Sequence, residues 1–127
     1  MPIDHVSVGS NDIVRARAFY IQTLATLGLR ILAEAAGRYC DFGIDTVAFS
    51  IETPVNGERA SSGNGAHVCF KAQSRAAVLE FYEAALAAGG RDAGPPGPRP
   101  NYGEHYFGAF AFDLDGNKIE ACCHLPE

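Results

Sequence analysis

Apolar residues recur along this chain at two alternating spacings, every second position over short runs and every third or fourth over longer ones. The run His5-Val6-Ser7-Val8 alternates, and Ile13, Ala16, Phe19, Tyr20, Leu24 and Leu27 then follow at helical spacing. Short strand-like runs at 29–33, 38–42 and 46–53 come next. The order then begins again: His67-Val68-Cys69-Phe70 alternates, Val78, Phe81, Tyr82 and Leu86 keep helical spacing, and strand patterns return at 108–112 and 118–124. Asp12 and Ser74 stand where each helix should start, with side-chain oxygens suited to accept from first-turn N–H groups. Gly28 and Gly89-Gly90 stand where each should stop. The pattern predicts β-α-β-β-β twice.

Sliding the sequence along itself makes the repeat explicit. With His5 placed on His67, seven identities fall between His5 and Gly28: His5/His67, Val6/Val68, Phe19/Phe81, Tyr20/Tyr82, Leu24/Leu86, Ala25/Ala87 and Gly28/Gly90. One domain is expected, with a first module over about 1–56, a polar Gly-containing linker over 57–65 and a second module over about 66–127. The predicted fold class is α+β, two βαβββ modules forming a cupped mixed sheet. A segment over 93–105 carrying Pro95, Pro96, Pro98 and Pro100 reads as a loop across one mouth of that sheet, since Pro cannot donate to a strand ladder. Tyr102, His105 and Tyr106, on or beside it, are the candidate substrate-binding residues.

Strand alternation sorts side chains onto two faces. Val6, Val8, Val68 and Phe70 are expected toward the helices, and His5, Ser7, His67 and Cys69 away from them. Each module closes on an Ile-Glu pair, Ile51-Glu52 and Ile119-Glu120. With the isoleucines turned to the helices, Glu52 and Glu120 share the histidine face. Symmetry then brings His5, Glu52, His67 and Glu120 together as a divalent metal site of oxygen and imidazole donors, fit for Zn, Ni, Co, Mn or Fe(II). Cys69 and Cys122 alternate onto the same face and are expected to line the cavity without ligating.

Composition narrows the partners. Ten Lys and Arg against fifteen Asp and Glu give a formal charge of −5, which argues against a basic nucleic-acid surface. No run of about 18 apolar residues is present, so no membrane span is expected, and the opening MPIDHVSVGS lacks the pattern of a secretory signal. A cytoplasmic location is expected, with Cys40, Cys69, Cys122 and Cys123 reduced.

The residues resemble the vicinal oxygen chelate superfamily of glyoxalase I, extradiol dioxygenases, fosfomycin-resistance enzymes and bleomycin-binding proteins. The resemblance rests on Ile3-Asp4-His5-Val6 with Asp12 and Phe19-Tyr20, on Gly65-Ala66-His67-Val68, and on Asp113-Leu114-Asp115-Gly116-Asn117-Lys118-Ile119-Glu120. The last run is similar to that family's D-P-D-G-x-x-[IL]-E pattern, with Leu114 in place of Pro. It implies paired βαβββ modules, commonly in a homodimer, with metal ligands on the first and last strands of each. It further implies a glyoxalase-like lyase or isomerase in which Glu120 or Glu52 moves a proton on a small vicinal-oxygen substrate. Two alternatives come with it: an Fe(II) or Mn(II) extradiol-type dioxygenase using His5, His67 and Glu120, and a metal-free protein binding a bleomycin-type antibiotic or other small molecule.

Overall fold

The computed structural model describes residues 2–126. Each module builds one strand, one helix and three further strands. These are β1 (Val6–Gly9), α1 (Ile13–Ala25), β2 (Arg30–Ala35), β3 (Tyr39–Gly43) and β4 (Val47–Glu52), then β5 (His67–Lys71), α2 (Arg75–Ala87), β6 (Arg91–Pro98), β7 (Phe107–Phe112) and β8 (Lys118–Cys123). The sheets have the orders β1-β4-β3-β2 and β5-β8-β7-β6. In each, first and last strands pair parallel and the remainder antiparallel.

Both helices begin where the sequence places them. The Asp12 carboxylate accepts from the Arg15 N–H at 3.2 Å and the Ser74 hydroxyl from the Ala77 N–H at 3.0 Å. Each helix turns its apolar stripe onto its own sheet, burying Phe19, Tyr20 and Leu24 from α1 and Val78, Phe81 and Ala85 from α2. The two modules share one core. Aromatic rings run across it from Tyr20 to Phe49 (5.0 Å between centroids) and from Phe49 to Phe70 of the second module (5.1 Å). Neither module would keep those rings dry alone.

The Pro-rich segment departs from expectation. Its first half is strand β6, not loop: Pro95, Pro96 and Pro98 all lie within it. The strand is tolerated because it is the edge of its sheet, where a missing N–H need not face a partner. Register shifts between Asp92 and Gly94 and between Gly94 and Gly97 absorb the irregularity. The remaining loop is closed by the Arg99 N–H donating to the Tyr106 carbonyl at 2.9 Å.

The Asp113-to-Asn117 run is the turn into β8, with Gly116 at φ 87° and its N–H donating to the Asp113 carbonyl at 3.1 Å. That turn also clasps the first module. Asp113 accepts from the Tyr20 hydroxyl of α1 at 2.5 Å, Asp115 from the Asn11 N–H at 2.8 Å, and the Asn117 side chain donates to the Gly9 carbonyl at 3.1 Å. The most specific run in the sequence therefore joins the two halves.

Candidate functional site

Away from the helices, each sheet presents a cleft. The first, of about 640 Å³, is lined by His5, Ser7, Tyr39, Asp41, Ser50 and Glu52 among others. The second, of about 460 Å³, is lined by His67, Arg99, Tyr102, Tyr106, Lys118 and Glu120 among others. Both fall in the range of small-molecule sites. Within one chain the four candidate ligands thus divide into two pairs, His5 with Glu52 and His67 with Glu120.

Strand register refines the symmetry between those pairs. In the first sheet Val6 stands beside Phe49, Ser7 beside Ser50 and Gly9 beside Glu52. In the second, Val68 stands beside Ile119, Cys69 beside Glu120 and Lys71 beside Cys122. Ser50 is therefore the positional counterpart of Glu120, and Glu52 that of Cys122, a two-residue offset that keeps each side chain on its face. The matching Ile-Glu pairs are alike in sequence but not in register.

Glu120 is the most deeply held carboxylate of the site, only 2% exposed. Its Oε1 lies 3.0 Å from His67 Nε2, and its Oε2 accepts from the Tyr106 hydroxyl. Burial pushes the Tyr106 phenol well up, and the adjacent Glu120 carboxylate adds to the shift, so Tyr106 remains an O–H donor. Above the pair, Lys118 and Arg99 lie over the Phe110 ring at 5.0 and 5.6 Å. Arg99 is fixed by the carbonyls of Pro95 (2.7 Å) and Gly97 (3.0 Å). The irregular β6 edge thus sets a cation at the cleft mouth.

Of the three candidate substrate residues, Tyr106 and the exposed Tyr102 line this cleft, their rings edge to face at 5.2 Å. His105 does not line it, and its imidazole stands 3.8 Å from the Glu104 carboxylate. In the first cleft His5 Nδ1 meets Asp4 Oδ1 at 2.7 Å, leaving Nε2 as the outward donor, the orientation that ligating histidines use. Ser50 donates to Asp41 at 2.6 Å. The donors are imidazole and carboxylate, a set suited to a borderline divalent cation.

Sequence reasoning placed Cys69 and Cys122 on this face but missed their closeness: the sulfurs are 3.3 Å apart. Cys69 stands beside Glu120 across the parallel ladder and Cys122 follows Glu120 by two, so the register alone would have revealed it. The S–H of Cys69, donated toward Cys122, draws the Cys122 thiol down against the opposing effect of burial, while the Cys69 thiol is pushed far up.

Gly108 on β7 makes room for this cluster. A Cβ there would lie 3.0 Å from Glu120 Oε2 and 3.1 Å from the Tyr106 ring. Gly108→Ala is expected to cost about 1–3 kcal/mol by overpacking, read as a lower midpoint in urea with an unchanged slope. An unchanged midpoint would show that Tyr106 moves aside freely.

Two four-stranded mixed sheets, each with its helix on one face and a cleft on the other, define the glyoxalase/dioxygenase class of α+β fold. A family model for the Glyoxalase/Bleomycin resistance protein/Dioxygenase superfamily matches residues 2–121, and the chain belongs to that superfamily. A glyoxalase/bleomycin resistance protein from Albidiferax ferrireducens T118 is 35% identical, with a TM-score of 0.89 over 98% of this chain and 100% of that one. A family enzyme from Burkholderia phytofirmans PsJN, 17% identical, has a TM-score of 0.73 over 97% and 98% of the two chains. Lactoylglutathione lyase from Agrobacterium tumefaciens, 20% identical, has a TM-score of 0.65 over 94% and 90%; these last two likenesses are of fold. No curated protein matches the chain. Among the described residues no helix is long and apolar enough to cross a membrane.

Proposed function

We propose that this protein is a metal-dependent lyase or isomerase acting on a small substrate with vicinal oxygens. His5, Glu52, His67 and Glu120 would hold the metal, and Glu120 or Glu52 would move the proton. The observation that carries the reading is the buried Glu120 carboxylate, held between His67 and Tyr106 at the floor of a cleft whose mouth is cationic. A divalent ion bound there supplies Lewis-acid polarisation of the substrate oxygens.

The chain supplies the rest. Lys118 and Arg99 attract a substrate carrying negative charge or electron-rich oxygens, and Tyr102 and Tyr106 wall it from water. Glu120 takes a proton from a carbon beside a carbonyl, and the Tyr106 O–H steadies the carboxylate that does so. Glu52, from the first cleft of a partner copy, would return it. A homodimer is part of the proposal: the first cleft carries Asp4, Asp41 and Glu52 against Arg38, and the second Arg99 and Lys118 against Glu120, so the two faces of different copies are complementary in charge. Such a pairing sets His5 and Glu52 opposite His67 and Glu120.

Metal content of protein purified without chelator tests the reading. About one Zn, Ni, Mn or Fe per site is expected, with loss in His5→Ala and in His67→Ala and turnover of a panel of 2-oxoaldehydes with thiols. Oxygen uptake with a catechol and Fe(II) would replace the lyase by a dioxygenase. The aromatic wall of Tyr102, Tyr106 and Phe110 beneath two cations favours a second reading, a metal-free protein that binds a planar anionic molecule. No metal in the wild type, with unaltered uptake in both variants, would sink the enzyme and leave that binder.

A further inference from the structure

Beside the imidazole and carboxylate donors lies a different set. Cys69 Sγ, Cys122 Sγ and a Glu120 carboxylate oxygen all lie within 4.8 Å of one another, the one such group of three among the described residues. We infer that Cys69, Glu120 and Cys122 form a thiolate-containing site for a zinc-like divalent cation, sharing only Glu120 with the His5/Glu52/His67/Glu120 set.

The case rests on placement. The three residues sit on β5 and β8, paired strands of which β5 is the sheet edge and β8 interior, and project from the face away from the helices. A site on paired strands is held more rigidly than one on loops. The sulfurs are 3.3 Å apart, and two thiolates on one tetrahedral zinc stand about 3.8 Å apart given Zn–S bonds near 2.3 Å. The required opening is therefore about half an ångström. Two imidazoles flank the group: His124 Nε2 is 3.9 Å from Cys122 Sγ, and His67 Nε2 is 3.0 Å from Glu120 Oε1. Three protein donors leave a fourth tetrahedral position, for one of these imidazoles or for solvent.

The chemistry selects the guest. Two sulfurs favour zinc, cobalt or cadmium over magnesium, calcium or manganese, whereas the His/Glu set also accepts manganese. Binding replaces the S–H hydrogens of Cys69 and Cys122 by bonds to the cation and releases those protons to solvent. It also takes Glu120 from the other set. The two modes are therefore exclusive within one cleft, and a thiol-bound ion would hold the proton-moving carboxylate out of action.

Cobalt(II) is the probe, titrated into the full-length protein kept reduced with a phosphine. Sulfur-to-cobalt charge-transfer absorption in the near ultraviolet is expected, saturating at about one ion per chain and bleached by zinc. Cys69→Ser and Cys122→Ser, close in size to the parent side chains, should each abolish the band and weaken binding by more than the 10–100-fold that loss of an outer-shell partner costs. His5→Ala, in the other cleft, should leave the band intact. Cobalt bound without that band, a band surviving in both Cys variants, or a band lost in His5→Ala would each overturn the inference. The first of these would leave the lyase reading standing, since cobalt held without sulfur points to the imidazole and carboxylate set alone.

Discussion

Asp113→Ala is expected to destabilise the protein by about 3–5 kcal/mol, the largest loss among substitutions outside the apolar core. The carboxylate is 5% exposed and fully engaged. Oδ1 accepts from the backbone N–H groups of Asp115 (2.9 Å) and Asn117 (2.8 Å), and Oδ2 from the Asn117 side chain (2.9 Å) and the Tyr20 hydroxyl (2.5 Å). Removing it strands the hydroxyl of Tyr20, itself 0% exposed, together with turn amides, and each buried orphan costs about 1–3 kcal/mol. Burial, reinforced by the charge of Asp113, pushes the Tyr20 phenol well up, so the hydroxyl stays a donor throughout the ordinary pH range. Tyr20→Phe should cost less, about 1–2 kcal/mol, because Asp113 keeps its other donors. Urea denaturation of both variants and the double variant measures the coupling. If Asp113→Ala proves no worse than Tyr20→Phe, water is satisfying the turn amides and the clasp contributes little.

That clasp shows what the sequence makes legible and what it hides. The doubled period of strand and helix, the caps at Asp12 and Ser74, and the turn at Asp115-Gly116 are all local signals, and each appears in the fold where the pattern puts it. The run from Asp113 to Glu120 is conspicuous in the sequence as a pattern shared with a family. Its role in joining α1 to the second sheet depends on residues 93 positions apart and has no local sign. The edge strand β6 was hidden for the opposite reason. Pro95, Pro96 and Pro98 are strong local evidence against a strand, and only the position at the sheet's edge overrides it.

The site divides the same way. Alternation is enough to put His67, Cys69, Glu120 and Cys122 on one face, because side-chain direction along a strand has period two. It cannot say which residues are neighbours across a ladder, and sequence likeness misaligned the two Ile-Glu pairs by two residues for that reason. The same missing register concealed the 3.3 Å approach of the two sulfurs. The direction of Arg99 was hidden behind its prolines, since it is fixed by carbonyls of the strand that the prolines disguised. The separation of His5 and Glu52 from His67 and Glu120 is a property of how two sheets sit in space, which internal symmetry does not specify.

Glu120→Gln should produce the largest loss of turnover. With the first substrate that the panel reveals, the variant is expected to lose about 10²–10⁴-fold in kcat, the usual worth of a positioned acid or base. The change keeps volume and one carbonyl oxygen, so the fold should survive. Its amide also brings a donor toward the Tyr106 hydroxyl and His67, which now receive one acceptor where they had two. Tyr106→Phe removes only the donor and should cost far less, about tenfold, since Glu120 keeps His67. The pH profile separates their roles. Because the Tyr106 phenol is pushed upward by burial and by Glu120, it stays protonated beyond the ordinary tyrosine value of about 10. Wild type and Tyr106→Phe should therefore share the same alkaline limb. An alkaline loss in the wild type that vanishes in Tyr106→Phe would show that Tyr106 gives up its proton in the reaction, and would move the acid/base role from Glu120 to the phenol.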